Sequence, residues 1–161
     1  MLFLEPDGTF PNHHPDPTVV ANLRRLSPYW DAKLDRPLVL GHEMSGVTSE
    51  GQRVAIDPAI PCGHCEFCEH GHPNLCSNLI FAGHGKTDGA MREWMPWNVR
   101  SLFPIPDSLS DDDGAMLEPL GVAIHTVDLG KVKPGMSVGV FGCGPIGLLV
   151  LQMAKLSGAS Q

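Results

Sequence analysis

Four cysteines within a short stretch, Cys62, Cys65, Cys68 and Cys76, constrain this chain more than any other feature. Their spacing is C-x2-C-x2-C-x7-C, and four thiolates so placed can close a tetrahedron around one Zn²⁺ at Zn–S distances of about 2.3 Å. A shell closed by four protein sulfurs leaves no position for a substrate, so the expected zinc is structural. From Pro61 to Cys76 the glycines, prolines and cysteines argue against regular structure, and the segment has too little apolar content to fix itself. Metal affinity of roughly 10–16 kcal/mol in small sites would offset the cost of ordering it. The competing reading is an iron–sulfur cluster, which bacterial ferredoxins hold with C-x2-C-x2-C-x3-C-P. Here the last gap is seven and Ser77 follows Cys76. His64, His70 and His72 are expected to be solvated loop residues, because four sulfurs already complete a shell.

A length of 161 residues suits one domain or one and a fraction, and a hydrophobic content of 42% is enough to build a core. The net charge of -7 argues against nucleic acid and anionic lipid, both of which select basic surfaces. No apolar run approaches the roughly 18–20 residues that span a bilayer. The first residues carry no basic, apolar leader. With clustered thiols and no sign of secretion, a cytoplasmic protein that touches neither nucleic acid nor membrane is expected.

Between residues 5 and 37 six prolines surround Asn12-His13-His14, which predicts loop with one short helix near residues 19–26. Leu38-Val39-Leu40, closed by Gly41, reads as the end of a buried strand, and residues 53–57 read as another. Ser110 followed by Asp111, Asp112 and Asp113 is an N-cap with an acidic first turn, predicting a helix to about Leu129 that Gly130 stops. Its apolar positions are Met116, Leu120, Ala123, Ile124 and Val127, and Pro119 with Gly121 predicts a break or kink near the middle. Residues 137–141 read as a buried strand, followed by a glycine-rich turn and an apolar helix to about Leu156.

Two more groups of residues carry chemistry. In Gly41-His42-Glu43 an imidazole and a carboxylate sit together where both could enter a metal shell, although such a pair is more often a structural hydrogen-bonded one. Glu118 places a second carboxylate inside an apolar helix, where an uncompensated charge is costly. His125, about two turns further on, is expected to be a packed helix histidine. Gly142-x-Gly144-x-x-Gly147, set between a predicted strand and helix, matches the dinucleotide fingerprint. Its glycines allow a tight turn and close approach to a pyrophosphate at the helix N-terminus. The candidate cofactor-binding residues are Gly142, Gly144, Pro145, Ile146 and Gly147. The alternative is an ordinary strand-to-helix turn, and Cys143 within it is read as a small buried filler.

Taken in order, Gly41-His42-Glu43-Met44-Ser45-Gly46, Arg53-Val54-Ala55-Ile56-Asp57-Pro58, the cysteine loop ending Asn74-Leu75-Cys76, and the turn 142–147 resemble the zinc-containing medium-chain alcohol dehydrogenase family. Gly114-Ala115-Met116-Leu117-Glu118-Pro119-Leu120 is most similar to its sorbitol/polyol and threonine dehydrogenase branch. The resemblance covers residues 38 to 161. It implies a mixed fold: a mainly-β GroES-like catalytic domain over residues 1–119, partial here, and the start of an α/β Rossmann domain over residues 120–161. It also implies an oxidoreductase that passes hydride from a secondary alcohol or polyol to NAD or NADP, as a homo-oligomer when full length. His42 would ligate a catalytic zinc, Glu43 would ligate it or support a ligand, and Glu118 would hold the zinc-bound water or exchange as a ligand.

The sequence departs from the family pattern at three places. The family's first catalytic ligand is a cysteine upstream of Gly-His-Glu, and no cysteine precedes Cys62. Between Gly46 and Arg53 this chain has a short connection where the family has a longer hairpin. The acidic residue that selects NAD over NADP, expected roughly 20 residues past the glycine motif, would fall beyond Gln161. The expectation is therefore a truncated, inactive copy that neither binds the nicotinamide cofactor usefully nor oxidises alcohols, with His13 and His14 as remote candidates for the missing ligand. Two other readings stay open: a zinc-stapled binding module without catalysis, and an iron–sulfur protein.

Overall fold

The computed structural model describes residues 38–161; the helix expected near residues 19–26, and His13 and His14, lie outside the described residues. The chain orders as β1 (Ser45–Val47), β2 (Arg53–Ile56), β3 (Ala59–Ile60), α1 (Glu66–Glu69), β4 (Ile80–Phe81), β5 (Leu102–Pro104), α2 (Asp111–Leu129) and α3 (Pro145–Leu156). One antiparallel sheet runs β1-β2-β5 and a second, two-stranded ribbon pairs β3 with β4. No helix among the described residues is long and apolar enough to cross a membrane.

β2 is central, with Val54, Ala55 and Ile56 all buried. A strand covered on both faces has no reason to alternate polar and apolar residues, which explains its loose pattern. Val54 and Ile56 meet Met44, Ala82 and Met95 in the core, and Trp97 and Leu102 pack against its edge.

The N-terminus of α2 is clamped onto this sheet. Ser110 and Asp113 form a reciprocal capping box, and the Ser110 hydrogen bonds hold the Asp113 carboxyl below its ordinary pKa. The Ser45 hydroxyl donates to the Asp111 carbonyl at 2.7 Å. Arg53 donates to the Asp111 carboxylate at 2.8 Å and to the Leu109 carbonyl at 2.7 Å. Gly114 faces β1 so closely that a Cβ there would lie 2.9 Å from the Cβ of Ser45.

Several expectations are corrected. Residues 38–40 form no strand. Leu38 and Val39 are buried, but the backbone bonds of residues 39–41 to residues 89–91 (Gly89 N to Val39 O 2.7 Å, Met91 N to Leu40 O 2.9 Å) make no ladder. α2 runs unbroken through Pro119. Of its predicted apolar face only Ala123 and Val127 are buried, while Met116 and Ile124 are exposed. Residues 137–141 form no strand either, and Phe141 is fully exposed. Met136 and Val138 instead exchange single hydrogen bonds with Ser160 and Gln161, which make no ladder.

Candidate metal centres and glycine-rich turn

The cysteine loop is a lobe with its own closure. β3 and β4 pair Ala59 with Phe81 and Ile60 with Ile80, bringing together the ends of the segment that holds all four thiols. Within it the chain is less irregular than its composition suggested. Cys65 caps the single turn α1, and a 3₁₀ turn at Pro73–Leu75 delivers Cys76. Gly63 and Gly71 have left-handed backbone, which lets the chain reverse on either side of α1. The Sγ atoms of Cys62, Cys65, Cys68 and Cys76 all lie within 4.8 Å of one another, and Cys65 Sγ is 3.5 Å from Cys68 Sγ. Thiolates at tetrahedral positions about 2.3 Å from one ion stand about 3.8 Å apart, so the donor set fits zinc. Phe67, Leu75 and Ile80 are exposed, and the lobe has no apolar core that could replace a metal.

The thiols differ strongly. Backbone N–H groups of Cys68 and Ser77 lower the Cys65 pKa to about 6. Desolvation, reinforced by its neighbouring cysteines, raises Cys68 to about 12. His64 and His70 each bond a nearby carbonyl through Nδ1, and both, with His72, are exposed as expected.

A second group forms from segments distant in sequence. Donor atoms of His42, Glu43 and Glu118 lie within 4.8 Å of one another. His42 and Glu43 follow Gly41, whose φ of +94° turns the chain. Gly41 is pinned from two sides: a Cβ on Gly83 would sit 2.9 Å from the Gly41 carbonyl oxygen, and a Cβ on Gly89 would overlap it. Glu118 arrives on α2, half-buried. Desolvation raises its pKa, Glu43 and Asp57 add to that rise, and His42 opposes it. The Glu118 carboxylate also lines a cavity of 480 Å³ with Asp57, Phe81, Phe103 and Val122.

Two rings near His42 were not singled out in the sequence. Phe81 stands edge-on to His42 with centroids 5.4 Å apart, and His84 lies 5.3 Å from His42 and 5.2 Å from Phe81. Their only sequence signal is the setting of His84 between Gly83 and Gly85, a turn with left-handed backbone on both sides. His125 is exposed at the rim of the cavity and is not packed within the helix. Cys143 is exposed and not a buried filler.

The glycine-rich turn leads into α3 with Gly144 at the N-cap and Pro145 at the first helical position. Gly142 has φ +111°, and a Cβ on Gly147 would overlap the Gly142 carbonyl. Both glycines are therefore sterically required. Pro145, Ile146 and these glycines line a cavity of 590 Å³ beside Val138 and Val140. The geometry fits a backbone that must come close to a phosphate.

Residues 22–107 match the alcohol dehydrogenase GroES-like domain model. A "Probable D-xylulose reductase A" of Aspergillus fumigatus is 44% identical over 135 residues, covering 78% of this chain and 38% of that protein. The crystal structure of L-idonate 5-dehydrogenase from Escherichia coli superposes with a TM-score of 0.73 at 34% identity, covering 79% of this chain and 40% of that one. A protein described as a zinc-binding dehydrogenase from Sinorhizobium meliloti, bound to NADP, superposes with a TM-score of 0.73 at 39% identity over 78% of this chain and 39% of that one. The chain thus spans about two fifths of the length of the relatives it matches.

Proposed function

Because the chain belongs to the alcohol dehydrogenase GroES-like domain family, we propose that it forms the metal-binding part of a zinc-dependent, NAD(P)-linked alcohol or polyol dehydrogenase. The observation that carries this reading is the convergence of His42, Glu43 and Glu118 at the edge of a largely apolar cavity. Three side chains from two remote segments meet there, and one of them, Glu118, is a carboxylate that burial disfavours in its charged form. A cation is the simplest compensation.

When bound there, zinc supplies Lewis-acid activation of a substrate hydroxyl, and the nicotinamide accepts the hydride. His42 would offer a ring nitrogen to the ion, and Phe81, edge-on to it at 5.4 Å, fixes the plane of the ring. Glu118 faces both the donor group and the cavity, so it can accept a hydrogen bond from a hydroxyl that enters. Phe81, Phe103 and Val122 give the substrate's carbon chain an apolar wall and keep water away from the reacting end. The four thiols of the lobe are assigned a structural zinc, and Gly142, Gly144, Pro145, Ile146 and Gly147 the cofactor's pyrophosphate.

The two folding units are proposed to divide near residue 119, within the continuous helix α2, which packs on β1 and β2 at one end and on α3 elsewhere. The substrate is proposed to be a small alcohol or polyol, and the whole protein a cytoplasmic homo-oligomer; free clustered thiols suit a reducing compartment. A non-catalytic zinc module would leave the convergence of His42 with Glu118 without a role. Metal analysis tests the reading: one zinc per chain is expected to survive dialysis, and a second, weaker one to bind when zinc is added back, the second being lost in His42→Ala. No second zinc on addition, or iron with sulfide, overturns it. Hydride transfer from sorbitol, xylitol and simple secondary alcohols to NAD or NADP is expected of the whole protein and not of this chain alone, and the whole protein's preference identifies the substrate class.

A further inference from the structure

The chain enters and leaves the cysteine lobe through the β3–β4 ribbon, which is two residue pairs long. A two-stranded ribbon is marginal in water by itself. Its pairing therefore depends on what holds residues 61–79 together, and the lobe has four clustered thiols but no core for that purpose. At its other end the ribbon runs into the His42 turn. Phe81, its last residue, stands edge-on to the His42 ring at 5.4 Å. Ala82 follows, wholly buried, with its amide donating to the Pro58 carbonyl at 3.0 Å. Gly83 then lies so close to the His42 turn that a Cβ on it would be 2.9 Å from the Gly41 carbonyl oxygen. Gly83 is seven positions past Cys76 (83 − 76), so a short stretch of backbone connects a thiol of one candidate centre to the turn that carries a donor of the other.

We propose that the β3–β4 ribbon couples the two metal sites, paired when the lobe holds its zinc and frayed when it does not, with Phe81 as the positioning residue that passes this state to His42. This rests on the reading of His42, Glu43 and Glu118 as metal donors. Both sites then bias one two-state element, which is the physical requirement for coupling. Filling the lobe fixes Phe81, the Phe81 ring fixes the His42 ring, and the second ion meets a donor already oriented. Linkage makes the effect reciprocal: an ion at His42 holds the Phe81 ring and so holds the ribbon closed. A chain whose lobe is empty is thereby kept from binding the second metal tightly.

The test is amide hydrogen exchange of the full chain with one zinc bound, before and after the second is added. The Ala82 amide reports opening of the ribbon, and the β2–β5 ladder reports the sheet. The second zinc should slow exchange at Ala82 by about fivefold or more, the low end of ordinary coupling between sites, and leave the ladder unchanged. Phe81→Ala should abolish that slowing while the second zinc still binds, more weakly, and Phe81→Tyr should keep it. In the other direction, Cys65→Ser should weaken the second zinc, and adding Phe81→Ala to it should weaken that zinc no further. If the second zinc binds and Ala82 exchange is unchanged, if the ladder slows equally, or if the slowing survives Phe81→Ala, the proposal falls while the metal-site reading stands. If the parent chain takes up no second zinc, both fall.

Discussion

Phe81 stands edge-on to His42 at 5.4 Å, and Phe81 is also the last residue of the ribbon that closes the cysteine lobe. The two candidate metal centres are therefore mechanically joined through one side chain. Edge-to-face ring pairs contribute about 0.5–1.5 kcal/mol beyond burial. Phe81→Ala should weaken zinc at the His42 site by up to about tenfold, measured by chelator competition, and leave the thiolate zinc in place.

Cys65→Ser should cost the lobe its zinc and its shape, since no core replaces the metal. Lysine and arginine are absent between Cys62 and Cys76, but Glu66 and Glu69 lie at the centre of the lobe. A glutamate-specific protease is expected to nick the variant there quickly and the zinc-loaded parent slowly. Equal resistance would show that the lobe holds itself.

In the metal-free chain the thiols label in a fixed order for as long as the lobe keeps this shape, and loss of the shape equalises them. Cys65, with its pKa lowered to about 6, is mostly thiolate at pH 7, and Cys68, raised to about 12, is almost wholly protonated. Iodoacetamide should modify Cys65 well before Cys68, with exposed Cys143 as an internal control, and zinc should suppress labelling of the first two only. Mass spectrometry of the peptides reads the order.

The raised pKa of Glu118 contributes its own pH dependence to the metal-free chain, opposite in sign to that of Asp113. Above the ordinary carboxylate range the unfolded chain has already released this proton while the folded chain still holds it. Folding therefore takes up a proton in that window, and stability must fall as pH rises through it. Glu118→Gln should flatten this fall and raise the melting temperature of the metal-free chain near neutral pH. It should also lower zinc affinity at the same site. A melting temperature unchanged by the variant would contradict the desolvation of this carboxylate.

Gly114→Ala should be harmful despite the higher helix propensity of alanine. The new methyl would press on Ser45 and on the Ile105 side chain, which would lie 2.9 and 3.0 Å away. Overpacking of this kind costs about 1–3 kcal/mol, and it falls where Ser45 and Arg53 hold α2 to the sheet. Urea unfolding of zinc-loaded protein should show the loss.

The parts legible in sequence were those written locally. The thiol spacing, the capping box at Ser110 and Asp113, the end of α2 at Gly130 and the glycine-rich turn each depend on residues a few positions apart. His84 and Phe81 could not be found in that way, because their approach to the His42 ring comes from the meeting of the 81–85 and 41–43 backbones. The misread strands share a physical cause. Leu38-Val39-Leu40 and residues 137–141 have strand-like composition, but a strand also needs a hydrogen-bonded ladder, and apolarity does not report one. His125 reads as a packed helix histidine because no neighbouring residue supports a ligand role, whereas it borders an open cavity.

The two centres also differ in how the chain must travel to build them. Cys62 and Cys76 are 14 positions apart (76 − 62), whereas His42 and Glu118 are 76 apart (118 − 42). Loop-closure entropy grows only as the logarithm of length, so the longer span costs about 1.5 kcal/mol more at equilibrium. Non-local contacts weigh more heavily on rate, because they must wait for the intervening chain to be placed. The β3–β4 ribbon shortens that wait by tying off the lobe and drawing residues 61–79 out of the path. Refolding from denaturant with zinc present should show the thiolate centre filling first and the His42 centre appearing with the sheet.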